Sequence, residues 1–275
     1  MPADRATFRS ERVWSALLWL FCGFIFLFLL VPLLVVLPLS FNSTSFFSYP
    51  MTGFSLRWYQ EYLDKDSWQI ATKNSFIIAT CTMLLATALG TMASLGLYRV
   101  TFKWKWIIEG ILIAPLIVPV IIIAIASYFF LASIGLLNTL AGLIVAHTVL
   151  ATPFVVIIVS ATLAGFDINQ ARAAASLGAP PVRAFFTAVV PAILPGLVTA
   201  AVFAFVTSFD EVVVVNFIAG PEQYTMTKEL WKGTHEELRP TVLAVAAIMV
   251  LVSVIVLTAI EFLRRRGEGL RESET

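Results

Sequence analysis

The chain has 275 residues, 59% of them hydrophobic and only 13% charged, with a formal net charge of +1. A soluble domain carries about 25% charged residues, so composition alone places this chain in a membrane. No basic patch is interleaved with aromatics, which excludes nucleic acid as a partner, and Cys22 and Cys81 both sit in apolar runs as small hydrophobes, without metal-ligand spacing.

Six stretches approach or exceed the about 20 apolar residues that cross a bilayer. Residues 1–12 form a polar N-terminal segment bearing Arg5, Arg9 and Arg12. Val13–Leu39 is longer than the ~7–15 residue core of a cleaved signal and is expected to stay in the membrane, with Pro32 and Pro38 bending or ending it. Ser40–Ser67 is polar and aromatic, with Pro50 and Gly53 as breakers. Within it, Phe54 to Leu63 reads as a short amphipathic helix at the interface, the depth that Trp58 and Tyr59 prefer. The second span covers about Ile70–Leu97 and gives way to a basic turn with Arg99, Lys103 and Lys105. The third covers about Ile107–Leu131, with Pro115 and Pro119 inside it. A tight turn, Ser133–Asn138, leads to the fourth, about Thr139–Leu163, which contains Pro153 and a lone His147 expected as a hydrogen-bonded core residue. The fifth is expected over Pro195–Val215, a polar loop over Asn216–Arg239, and the sixth over Pro240–Leu263, stopped by Arg264, Arg265 and Arg266. The fold class is therefore all-α, with residues 13–263 as one six-helix membrane domain and 264–275 as a charged tail.

Residues 165–195 form a polar island between the fourth and fifth spans. Ala171–Leu177 has high helix propensity. Gly178 can adopt the left-handed conformation that closes a helix, and Pro180-Pro181 forbids its continuation while allowing Pro181 to open another. The expected shape is a helix, a sharp turn and a second helix, both too short to span. With the N-terminus in the cytoplasm, the inner side collects Arg5, Arg9, Arg12, Arg99, Lys103, Lys105, Arg172, Arg183, Arg264, Arg265, Arg266 and Arg271. The outer side keeps Arg57, Lys65, Lys73, Lys228, Lys232 and Arg239. This twofold excess is the bias of cytoplasmic loops, so both termini and the elbow are expected to face the cytoplasm.

Asp210 and Glu211 interrupt an apolar run, roughly 21–23 Å beyond Gly196 at about 1.5 Å per residue. A carboxylate facing lipid near mid-depth costs at least ~2.5–3.5 kcal/mol, so the pair belongs in a water-filled path, in a bundle interior, or at a helix end as a cap or ion pair with Lys228 or Lys232. Phe205 and Phe209 lie one turn apart beside them and could flank a cationic solute. No phosphate-cradling Gly-x-x-x-x-Gly-Lys-Ser/Thr, Ser/His/Asp set or Cys cluster is present, so any energy source lies on another chain. An intramembrane enzyme using Asp210, Glu211 and His147, or a secondary carrier, are the competing readings.

Ala173-Ala174, three residues, Gly178, nine residues and Ala188-Val189-Val190-Pro191 resemble the Glu-Ala-Ala…Gly…Ile-x-Leu-Pro loop of importer permeases of the ATP-binding cassette class. Arg172, Ala188 and Val190 depart from that pattern. Ser208-Phe209-Asp210-Glu211 running to Gly220-Pro221, and Gly53-Phe-Ser-Leu-Arg-Trp-Tyr59, are similar to segments of the polyamine (spermidine/putrescine) branch. The resemblance implies a type I importer fold and a location in the bacterial inner membrane. It also implies a coupling loop that carries Arg172, Ala173, Ala174, Leu177, Gly178 and Pro191. Its partners would be a second permease, an extracytoplasmic solute-binding protein, and two ATPase subunits that hold ATP and Mg, with no cofactor in this chain. Related branches carry iron(III), opines, 4-aminobutyrate or aminoethylphosphonate.

Overall fold

Apolar length becomes helix throughout this chain. The computed structural model describes residues 3–44, 51–100, 102–237 and 240–272. Helix α1 covers Ala3–Leu39, α2 Arg57–Asp64, α3 Asp66–Arg99, α4 Lys105–Ile117, α5 Val120–Ser133 and α6 Leu140–Ala164. They are followed by α7 Ile168–Ser176, α8 Pro181–Ala184, α9 Val190–Phe209, α10 Val213–Ile218, α11 Met226–Lys232 and α12 Thr241–Glu272. Pro50 and Arg239 lie outside the described residues, as do the side chains of Arg5, Arg9, Arg12, Arg264, Arg265, Arg266 and Arg271.

The chain divides into two compact units. The first comprises Met1–Asp64 with Leu238–Ile248. In it α1 ends two residues short of a small aromatic knot. Phe41 stacks on Phe54 at 5.1 Å and on Tyr59 at 5.1 Å, and Trp58 Nε1 donates to the Asn42 carbonyl at 2.7 Å. The buried Trp58 thus has its polar edge satisfied. The interfacial helix is shorter than expected, beginning at Arg57.

The second unit, Lys65–Glu237 with Met249–Thr275, is organised around α3, α6 and α9. Gly90 brings α3 onto α6, where a Cβ would lie 2.7 Å from Val155 Cγ1. Ser94 Oγ donates to the Val156 carbonyl at 3.3 Å and Tyr98 OH to that of Phe166 at 3.3 Å. Numbers rise together along both helices, so α3 and α6 run in the same direction. The reverse holds for α9. Its early residue Gly196 abuts Thr162 near the end of α6, and its late residue Ser208 bonds His147 near the start. Ala86, Ala151, Val155, Val159, Ala200 and Ala204 fill the three-helix seam. Small residues allow this approach, as expected where lipid removes the hydrophobic drive between helices. A second cluster built on Ile78, Leu143, Ala146, Val214 and Ile218 holds α5 and α10 to the same helices.

Four of the described helices are long and apolar enough to cross a membrane: Trp14–Leu39, Asp66–Arg99, Leu140–Ala164 and Pro181–Phe209. Thr241–Val256 is a shorter apolar helix. The expected third span is not one rod. Its α4 and α5 halves meet at 104°, and the pair makes a fifth crossing only if counted together. The cause is local: Val118 is extended (φ −71°, ψ 133°), as a residue preceding proline tends to be, and Pro119 opens α5 without donating an N–H. The fifth span also differs. It starts at Pro181, because α8 continues through the π turn Phe185–Val189 into α9, and it ends at Phe209 rather than Val215. The second arm of the elbow is therefore the beginning of a span and not a separate short helix. The polar loop after it contains α10, α11 and the turns Pro221–Gln223 and Gly233–Glu237. Helix α12 does not stop at Arg264 but continues to Glu272.

Candidate functional site

The elbow is assembled from capping chemistry. Asp167 Oδ1 accepts from Asn169 N–H at 2.9 Å and opens α7. Arg172 Nη1 reaches Asn169 Oδ1 at 3.4 Å on the exposed face. At the other end Gly178 N–H donates to the Ala175 carbonyl at 3.0 Å and Ala179 N–H to that of Ala174 at 3.1 Å. With Gly178 at φ +83°, this is the Schellman closure that glycine permits at little steric cost. Pro181 then starts α8 at a position where the missing N–H costs nothing, because an N–H there would have no helical partner. The turn leaves Leu177 89% and Val182 69% exposed. Arg172, Ala173 and Gly178 are exposed and Ala174 is half-buried, so these residues and Leu177 sit in the elbow, whereas Pro191, also exposed, lies in the first turn of α9, ten residues into the rod that begins at Pro181.

The acidic pair lies where α9 ends, and its two members do different things. Glu211 Oε1 accepts from Val214 N–H at 2.9 Å, and its carbonyl accepts from Thr227 Oγ1 at 3.0 Å. It starts α10 and anchors the approach to α11. Asp210 is the C-cap of α9, exposed, and its carboxylate has no hydrogen bond or ion pair among the described residues. A negative charge at a helix C-terminus is opposed by the helix dipole by about 0.3–1 kcal/mol. Lys228 is engaged elsewhere, donating to Asn216 Oδ1 and lying 5.4 Å over the Tyr224 ring. The structure thus separates a structural carboxylate, Glu211, from one that stabilises nothing visible, Asp210.

Phe205 and Phe209 stack at 5.5 Å, and a third ring joins them: Phe76 of α3 lies 5.3 Å from Phe209 and 6.3 Å from Phe205. Phe76 was not legible as part of the site, because no local pattern links it to a residue about 130 positions later. His147, expected in the core, is buried, with Nδ1 2.8 Å from Ser208 Oγ. That bond fixes the residue next to Phe209. Among the described residues no group of three or more His, Cys, Asp or Glu side chains could hold a metal ion.

With this geometry in place, comparisons with known proteins are informative. A family model described as "Binding-protein-dependent transport system inner membrane component" matches residues 86–268. The spermidine/putrescine transport system permease protein PotC of Escherichia coli (strain K12) is 29% identical over 241 residues, covering 88% of this chain and 91% of that protein. The putrescine transport system permease protein PotI of the same organism is 29% identical over 233 residues, covering 82% of each. Among solved structures, a bacterial ABC transporter involved in import of the acidic polysaccharide alginate superposes with a TM-score of 0.73 at 14% identity, covering 93% of this chain and 96% of that one.

Proposed function

This chain belongs to the family of binding-protein-dependent transport system inner membrane components, and from that premise we propose that it imports a polyamine such as spermidine or putrescine. It acts as one of two permease subunits and works by alternating access. Its partners are an extracytoplasmic solute-binding protein, which delivers the cargo, and two ATPase subunits, which bind ATP and Mg and carry out all the catalysis. Both termini and the elbow face the cytoplasm, where Arg172, Ala173, Ala174, Leu177, Gly178 and Pro191 meet an ATPase. The overall likeness of PotC and PotI to this chain supports the choice of cargo.

The observation that carries this reading is Asp210, an uncompensated carboxylate at an unfavourable helix end, directly after Phe209, whose ring packs with those of Phe76 and Phe205. A flexible polycation complements both features, since its charge satisfies the carboxylate and helix end together and its ammonium groups can lie over the accessible rings of Phe76 and Phe205, Phe209 itself being buried. The test is uptake into vesicles containing the complete importer. Asp210→Asn should lower spermidine uptake at limiting concentration roughly tenfold, the ~1.4 kcal/mol of one charged contact, with the complex still assembled. Unchanged uptake kinetics would remove Asp210 from the path. A binding screen on the cognate receptor with polyamines, iron(III), opines, 4-aminobutyrate and aminoethylphosphonate would identify the cargo independently.

A further inference from the structure

A cavity of about 440 Å³ lies between the last turn of α3 and the start of the rod beginning at Pro181. Its volume falls within the about 300–1,000 Å³ of ligand sites. Leu95, Val182, Phe185 and Phe186 give it an apolar wall, and Arg99 is its one charged lining residue. Gly96 contributes the space itself: a Cβ built there would meet nothing within 4 Å.

The surroundings show which ligand fits. Arg99 is exposed and makes no ion pair or hydrogen bond among the described residues. Of the two lysines that follow α3, Lys105 Nζ lies 3.7 Å from Glu109 and Lys103 Nζ lies 5.9 Å over the Trp104 ring, while Arg183, next to Val182, is exposed. Trp104 and Trp106 are 59% and 68% exposed, as side chains at a membrane interface are. A polycation is repelled by Arg99, and a water-soluble anion gains nothing from the apolar wall. The geometry points to one anionic phospholipid bound in this cavity, its phosphate on Arg99 and an acyl chain along Leu95, Val182, Phe185 and Phe186. Such a ligand comes from the bilayer itself and combines the anionic head and apolar body that the cavity asks for. The site goes beyond the transport path, which lies at the opposite end of α9.

The test is native mass spectrometry of the complete importer, purified in detergent and incubated with equal amounts of phosphatidylglycerol and phosphatidylcholine bearing the same chains. The wild-type complex should retain phosphatidylglycerol about fivefold over phosphatidylcholine, the effect of one basic side chain at the headgroup. Arg99→Gln should abolish the preference while lipid is still retained. Gly96→Leu should fill the cavity and lower retention of both lipids without changing the elution of the complex. Equal retention of the two lipids by the wild type, an undiminished preference in Arg99→Gln, or wild-type retention in Gly96→Leu would each overturn the assignment. So would a photo-crosslink from Val182 that reports an ATPase subunit instead of lipid. None of these measurements depends on the identity of the cargo.

Discussion

Asn74 and His147 show how single polar side chains pin this membrane fold. Asn74, buried in α3, donates through Nδ2 to the carbonyls of Glu222 at 2.9 Å and Tyr224 at 3.0 Å. Next to it, Ser75 Oγ accepts from Met226 N–H at 2.8 Å. Together they satisfy two backbone carbonyls and one N–H in the segment that leads into α11. Asn74→Leu should destabilise the protein by about 1–3 kcal/mol, read as a lower unfolding midpoint in detergent. The bond between His147 and Ser208 joins α6 to α9. A double-mutant cycle with His147→Ala and Ser208→Ala should give a coupling of about 0.5–1.5 kcal/mol, and additivity would show that the 2.8 Å contact contributes nothing. Asp210→Asn, by contrast, should leave the unfolding midpoint unchanged or slightly raised, because it removes a charge from an opposed helix end.

The elbow is the element whose form sequence reasoning reaches most directly. A glycine after an alanine-rich helix, followed by two prolines, leaves few conformations, and the observed φ of +83° at Gly178 is one of them. Gly178→Val would force a β-branched residue into that region at about 1–2 kcal/mol. ATP-driven uptake should then fall while the complex still inserts and hydrolyses ATP, and normal uptake would count against a coupling role. Two other elements were less legible. At Val118–Pro119 every neighbour is apolar, so nothing in the pattern distinguishes a kinked span from one folded back by 104°. At Phe209 the run continues through Val212 to Val215, and the break into two helices is held by the Glu211 side chain turning to Val214 N–H and by Thr227 Oγ1 on the Glu211 carbonyl. Hydrophobicity records where lipid or core must be met, whereas chain breaks inside apolar stretches depend on one or two hydrogen bonds. Phe76 belongs to a third kind of miss, a contact created only when α3 and α9 pack.

As a whole molecule, the chain offers helices long enough for a membrane, a turn with Leu177 exposed, and at the far end of the following span an acid that is unpaired among the described residues. Topology can be read chemically. After Cys22 and Cys81 are replaced by Ser, a cysteine at the 89% exposed Leu177 should react with a membrane-impermeant thiol reagent only in inside-out vesicles. Reaction from outside intact cells would invert the proposed orientation. Purified alone, the chain should neither hydrolyse ATP nor move solute under an ion gradient. Uptake under such a gradient would make it a secondary carrier.

One further consequence lies in the unbroken path from Pro181 to Phe209. These 29 residues, roughly 43 Å at about 1.5 Å each, are interrupted only by the wide turn Phe185–Val189. The elbow and Phe209 thus lie at two ends of one helical path, with the wide turn and Pro195 as the places where it can bend. Deleting one residue from the wide turn would tighten it to ordinary pitch and leave the phase beyond it nearly unchanged, because the extra residue is taken up within that turn; one residue fewer in α9 would instead rotate its far end by about 100° and take Phe209 away from Phe76.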